Sequence, residues 1–118
     1  NTSLVLKLRY GKKSILLTGD MERDIEERLI LNNMPLMADV LKVPHHGSNG
    51  ASSLPFLLAV KPKIAILSVG MGIKGLPGKE ALNRYKSLSI PVLSTLKNGF
   101  ISVCTDGKKV SVKPYQTR

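Results

Sequence analysis

The segment from Ser14 to His46 narrows the possible folds more than any other part of the chain. An apolar run, Ser14 to Thr18, ends in Gly19 and Asp20. A stretch of helical period follows from Met21 to about Asn32, and a second short apolar run, Asp39 to Val43, ends in Pro44, His45 and His46. Strand, helix and strand in this order form a β-α-β unit, whose crossover is right-handed and whose strands are parallel. Asp20 and the two histidines therefore emerge at the same edge of one sheet. That carboxyl-terminal edge is where open α/β sheets place their sites.

The remaining elements extend this unit. Leu4, Leu6 and Leu8 alternate with Ser3, Val5, Lys7 and Arg9, so Thr2 to Arg9 reads as a strand, turning at Tyr10, Gly11 and Lys12 into the Ser14 to Thr18 strand as a hairpin. In the Met21 helix, Ile25 and Leu29 share a face, while Glu22, Asp24, Glu26 and Glu27 are expected mostly elsewhere, with the acids favouring the first turns. Asn33, Met34 and Pro35 stop it. After the polar loop His45 to Ala51, a short helix is expected from Ser53 with Pro55 in its first turn. A strand Ile64 to Val69, a Gly-rich loop Gly70 to Gly78, an amphipathic helix Lys79 to Leu88 and a strand Pro91 to Thr95 continue the alternation. Asn98-Gly99 and Asp106-Gly107 read as tight turns of a terminal meander that includes Phe100 to Thr105 and Val110 to Lys113. The class is α/β, with parallel strands in the middle and antiparallel pairs at both ends.

Composition limits the chemistry. The single cysteine, Cys104, excludes an internal disulfide and thiolate metal clusters, so any metal must be held by His and carboxylate. No apolar stretch has the length of a membrane span, and the start shows no signal-peptide pattern, so the chain reads as a soluble piece. It opens at Asn1 on a strand-like run, which marks it as cut from something longer and leaves room for a membrane segment outside it. The net charge of +10 is uneven: residues 1–39 hold six Lys or Arg against six Asp or Glu, and residues 40–118 hold twelve against two. Such a field attracts polyanions, nucleic acid or anionic lipid, and equally serves as a solvated surface.

Asp20 alone reads as a helix N-cap, and His45 and His46 alone as turn residues. A His pair after Pro and before Gly and Ser has no aliphatic neighbour to bury it, and with Asp20 at the same sheet edge the three read better as a site. Two side-chain ligands do not make a tight divalent site, since catalytic zinc takes about three protein ligands. The other carboxylates are helix acids, Glu80, Asp106 and Asp39, the last expected at the opposite edge, so the missing ligands come from elsewhere. Oxygen and imidazole donors suit zinc or manganese.

Leu16-Leu17-Thr18-Gly19-Asp20 followed by Leu41-Lys42-Val43-Pro44-His45-His46-Gly47-Ser48 is similar to the metallo-β-lactamase-like domain of the ComEC family, bacterial competence proteins that bring DNA through the membrane. The likeness covers nearly the whole chain, including Asn1 to Leu4, Ile66-Leu67-Ser68-Val69-Gly70 and Asn98-Gly99-Phe100-Ile101. The resemblance implies a four-layer αββα sandwich of which residues 1–118 form the C-terminal half. The N-terminal half, with a His-x-His-x-Asp-His cluster and one more His, lies outside this sequence. It also implies a two-metal hydrolase cutting the phosphodiester bonds of DNA, this piece alone being inactive. Asp20 matches the carboxylate that bridges two divalent cations and His46, the residue before Gly, a metal ligand. His45 then supports the ligands or faces a substrate phosphate. Ser48 and Asn49 are candidate phosphate contacts, although the same loop can serve only to cap the helix after Ser53. Lys74, Lys79, Arg84 and Lys86 are candidates to steer a nucleic-acid backbone.

The partners implied are DNA, the upstream half of the same domain and a membrane channel domain, at the bacterial cell membrane. An unpartnered sheet face further predicts a homo-oligomer when the chain is alone. One departure bears on activity: many relatives carry Asn-x-Tyr-Gly-His-Pro after the Ser-Val-Gly strand, where this chain has Gly72-Ile73-Lys74-Gly75-Leu76-Pro77, so Leu76 replaces a polar histidine. Two alternatives to the nuclease follow. One is a non-catalytic DNA-binding or assembly module that keeps the fold. The other is a phosphoester hydrolase acting on cell-wall or lipid substrates.

Overall fold

The computed structural model describes residues 4–70 and 75–115. Seven strands and four helices follow in the order β1 (Val5–Tyr10), β2 (Lys13–Thr18), α1 (Arg23–Leu31), β3 (Val40–Lys42), α2 (Leu54–Val60), β4 (Ile64–Leu67), α3 (Lys79–Ser87), β5 (Val92–Ser94), α4 (Thr95–Asn98), β6 (Ile101–Thr105) and β7 (Val110–Pro114). The fold is mixed α/β. Strands β1 to β5 form one sheet in sequence order, with β1 antiparallel to β2 and the other neighbours parallel. Strands β6 and β7 form a separate antiparallel pair.

That strand order has a consequence for the layers. Each step from β2 to β5 moves one place in the same direction, and a right-handed crossover at each step puts its helix on the same face. Helices α1, α2 and α3 therefore share one side of the sheet. Leu16, Leu41, Ala65 and Leu67 point to that side and are buried with Met21, Phe56, Leu57, Val60 and Tyr85 in a single core. At about 25 cal/mol per Å² of apolar surface removed from water, this is the layer contact that holds the fold.

The alternate residues face the other way. Leu6 and Leu8 on β1 lie opposite Leu17 and Ile15 on β2, so all four share a face. Ile64, Ile66 and Leu93 continue it across β4 and β5. Leu6 and Leu8 stay 47% and 53% exposed, and Ile15, Leu17, Ile64, Ile66 and Leu93 are half-buried. Val110 and Val112 of the β6–β7 hairpin line one cleft with Val40 and Ile64 of this face.

Three local expectations are revised. Strand β1 runs on through Tyr10, which was assigned to the turn, and Thr2 and Ser3 lie outside the described residues. Asn98-Gly99 is not a hairpin turn. It ends the short helix α4, with Gly99 at φ 69, so of the expected terminal meander only the hairpin around Asp106-Gly107 forms, as β6 and β7. Glu26 does not face water but is completely buried, on the side of α1 between Ile25 and Ile30.

Candidate functional site

The β2, β3 and β4 strands are neighbours, and each leaves the sheet into a short loop at the same edge. Asp20 follows β2, the tight turn Pro44–Gly47 follows β3, and Ser68 follows β4. The expectation that Asp20 and the two histidines emerge at the same edge of the sheet is therefore fulfilled by the topology. Asp20 is not the cap of α1, since the capping position is Glu22, without a side-chain capping bond.

The turn itself is unusual. His45 and His46 have φ of 50° and 51°, and Gly47 has φ 83°. Successive left-handed residues cost roughly 1–2 kcal/mol each outside glycine, though histidine tolerates this region better than most. Backbone bonds hold them there: His45 N–H donates to Gly19 O at 2.9 Å, Ser48 N–H to His45 O at 2.9 Å, and Gly78 N–H to Gly47 O at 2.7 Å. Gly47 has no substitute, because a Cβ there would sit 2.8 Å from Pro77 Cβ. From this turn the two imidazoles reach different neighbours, Glu22 for His45 and Asp20 for His46.

His46 faces Asp20. Its Nδ1 lies 2.7 Å from Ser68 O, an acceptor only, so Nδ1 carries a proton and Nε2 is the nitrogen left to bind a metal. Nε2 then stands 3.6 Å from Asp20 Oδ1. Donors at about 2.0–2.2 Å from one tetrahedral cation are separated by about that distance, and an imidazole oriented by a backbone carbonyl is the usual support of a metal ligand. The pair fits half of a metal site. Among the described residues no group of three or more His, Cys, Asp and Glu converges, so the set is incomplete. Both side chains remain open, at 39% and 68% exposure, toward whatever completes it.

His45 faces away. Its Nδ1 lies 2.5 Å from Glu22 Oε1, close enough for an ion pair but not aligned as a hydrogen bond. Glu22, absent from the expected site, is thus the neighbour of His45, and its carboxylate also lies against the Cα of Gly50.

The loop after the histidines is gripped from two helices. Glu26 accepts Ser52 N–H at 2.6 Å and Ser53 N–H at 2.9 Å. From α3, the Arg84 guanidinium donates to the carbonyls of Asn49, Ala51 and Ser52, each at 2.8 Å, and Tyr85 OH pairs with Ser52 Oγ at 2.7 Å. Burial raises the Tyr85 phenol well above its ordinary range, so it stays neutral. Ser52 is itself left-handed, at φ 60°.

These contacts reassign several candidates. Asn49 Oδ1 accepts Ala81 N–H at 3.0 Å and so caps the first turn of α3, and Ser48 Oγ accepts Gly50 N–H at 3.1 Å. The serine hydroxyl keeps its proton to donate, and Asn49 keeps its amide nitrogen. Ser53, as expected, caps α2 through Phe56 N–H. Arg84 is not free to steer a polyanion, because its guanidinium is held by the three carbonyls. Lys79 and Lys86 are exposed, and Lys74 lies outside the described residues. Leu76 packs against the core, so the departure at this position presents apolar rather than polar surface.

With this geometry in hand, comparison with known proteins gives a consistent answer. The chain is 42% identical over 103 residues, 86% of its length, to ComE operon protein 3 of Bacillus subtilis. In an alignment of 123 positions that covers 98% of its length, it is 40% identical to Recombination protein 2 of Haemophilus influenzae. Over 99 residues, 82% of its length, it is 37% identical to Competence protein ComA of Neisseria gonorrhoeae. The similarities point to the ComEC competence family. The chain spans only 13–15% of the length of these curated relatives, so what the whole proteins do is not carried by this segment alone. No family model matches the sequence. Among the described residues, no helix is long and apolar enough to cross a membrane.

Proposed function

We propose that this chain is the C-terminal half of a metallo-β-lactamase-like domain in a membrane-associated protein of DNA uptake, and that the complete domain hydrolyses DNA phosphodiesters with two divalent cations. The observation that carries the reading is the His46 imidazole, pinned through Nδ1 to Ser68 O with Nε2 directed at Asp20, 3.6 Å away. The relatives, ComE operon protein 3, Competence protein ComA and Recombination protein 2, support the link to DNA uptake. The half-covered apolar sheet face supports the sandwich, since a second sheet is what such a face packs against.

Asp20 and His46 would hold the cations, zinc or manganese, with the remaining ligands from the upstream half. Two bound cations acidify a water nucleophile and stabilise charge on a phosphoryl oxygen. The chain's own residues do the positioning. Ser68 O keeps His46 in one tautomer, the Gly19 carbonyl ties the His turn to the Asp20 loop, and the grip of Glu26 and Arg84 keeps the following segment from moving. Ser48 Oγ–H and the Asn49 amide nitrogen remain available as donors to a phosphate oxygen.

The test is DNA degradation by the complete domain with added manganese or zinc, where Asp20→Ala is expected to abolish turnover. Cleavage by a variant that no longer binds metal refutes the two-metal mechanism, and no cleavage by the metal-loaded parent domain refutes the nuclease reading. One observation favours a second reading, a non-catalytic DNA-binding module: Leu76 packs, partly buried, against the core, at the position where the resemblance implies a polar histidine. Its signature is salt-sensitive DNA binding without metal-dependent turnover. A cell-wall or lipid phosphoester substrate is separated from DNA by a substrate screen on the same domain.

Studied alone, the chain is expected to self-associate through Leu6, Leu8, Ile15 and Leu17. Sedimentation should show a concentration-dependent dimer that Leu6→Lys with Leu8→Lys disperses; a monodisperse monomer at all concentrations contradicts this.

A further inference from the structure

The sheet face that the helices leave open is aliphatic apart from one charge at its centre. Its residues line up in rows across the strands. Leu8 pairs with Ile15, Ile15 with Val40 and Val40 with Ile64. One row nearer the carboxyl-terminal edge, Leu6 pairs with Leu17, Lys42 with Ile66 and Ile66 with Leu93, and the same register sets Leu17 beside Lys42. Strand β3 is the middle one of five, so Lys42 has aliphatic neighbours on both sides.

The ammonium group stays on the sheet. Lys42 is half-buried, and its Nζ donates to Thr18 O at 3.1 Å, which uses one of its three donors. The ion pairs among the described residues involve Lys13, Lys63, His45 and His46, and none involves Lys42. Such a lysine is tolerable while water still reaches it. A second sheet packed about 10 Å away excludes that water, and an ammonium buried without a counter-charge is strongly unfavourable.

We propose that the layer covering this face carries a carboxylate that pairs with Lys42. The inference rests on the reading of the chain as half of a sandwich, and it names the chemistry of the other half. That half is the occupant because the chain spans only 13–15% of the length of its relatives, and because the face around Lys42 is as apolar as an inner sheet face. A second copy does not supply the acid. In a two-fold contact over β3, Lys42 would meet its own counterpart, and each chain carries a net charge of +10. Lys42 is the last residue of β3, so the pair ties the two halves together next to the edge that carries Asp20 and His46.

Acetylation of Lys42, read by peptide mass spectrometry, is compared between the chain alone, kept dilute, and the complete domain. Lys42 should be modified in the first and protected in the second. In the complete domain, Lys42→Met should raise the unfolded-to-folded ratio by about a hundredfold or more, because it strands the buried acid. In the chain alone, where water reaches the ammonium, the same change should shift that ratio by less than about fivefold. If the Lys42→Met domain does not fold, the Asp and Glu residues of the upstream half are replaced by Leu one at a time in that background. One replacement should restore folding, since an ion pair exchanged whole for apolar residues costs little. A Lys42→Met domain as stable as the parent, or one that no acid replacement restores, overturns the pair while protection of Lys42 leaves the sandwich standing. Equal acetylation in chain and domain overturns both. Protection that appears only on adding an oligothymidylate strand assigns Lys42 to the substrate and likewise overturns the pair.

Discussion

Replacing Glu26 by alanine should destabilise the chain by about 3–5 kcal/mol. The substitution removes the partner of two buried N–H groups, those of Ser52 and Ser53, and each unsatisfied donor costs roughly 1–3 kcal/mol. The lost side-chain volume adds a cavity in a fully buried place. Glu26→Gln should cost about half as much, because its single oxygen serves one amide while its NH2 group opposes the other. The measurement is urea unfolding at one fixed protein concentration, since association contributes to apparent stability. Amide exchange adds a local readout: the Ser52 and Ser53 amides should lose protection first. A loss below about 1 kcal/mol for Glu26→Ala would show that water replaces the carboxylate at little cost.

Glu26 also marks where sequence reasoning stops. The β-α-β unit was legible because it depends on order and handedness alone, and it correctly put Asp20 and His46 at one edge. Burial of a carboxylate depends on what approaches it from elsewhere. Glu26 stands four residues before Ile30 and next to Ile25 on the apolar side of α1, and that placement was the available signal. What makes it tolerable is a pair of amides 26 and 27 residues later in the chain. The same holds for Arg84: an exposed-looking cation on an amphipathic helix is read as surface charge until the three carbonyls that meet it are known. The loss of the expected meander has a different cause. Asn98-Gly99 satisfies the dipeptide preference of a hairpin, but Ser94 Oγ accepts Leu96 N–H and Asn98 Oδ1 accepts Ser94 N–H, a local pair of caps that closes a helical turn instead. The uneven charge along the chain was real as a sum, yet the fold redistributes it, drawing Lys13 from the balanced first third to a cleft lined also by Lys63, Lys108 and Lys109.

The two adjacent histidines should respond oppositely to removal. In the complete domain, His46→Ala is expected to lower the affinity for zinc or manganese by at least about a hundredfold, beyond the 10–100-fold usual for losing a group that only orients a ligand. His45→Ala should lower it by about tenfold or less on the same scale. The difference follows from the left-handed turn, which sends the rings to opposite neighbours. His46 presents a free Nε2 to Asp20 because Ser68 O holds its other nitrogen, whereas His45 directs Nδ1 at Glu22. Glu22→Gln should accordingly resemble His45→Ala, and Asp20→Ala should resemble His46→Ala. Metal content after dialysis and competitive chelator titration read all four variants. A larger loss in His45→Ala than in His46→Ala would reverse the assignment, and equal losses would mean that the turn acts as one unit, with the Ser68 contact playing no selective part.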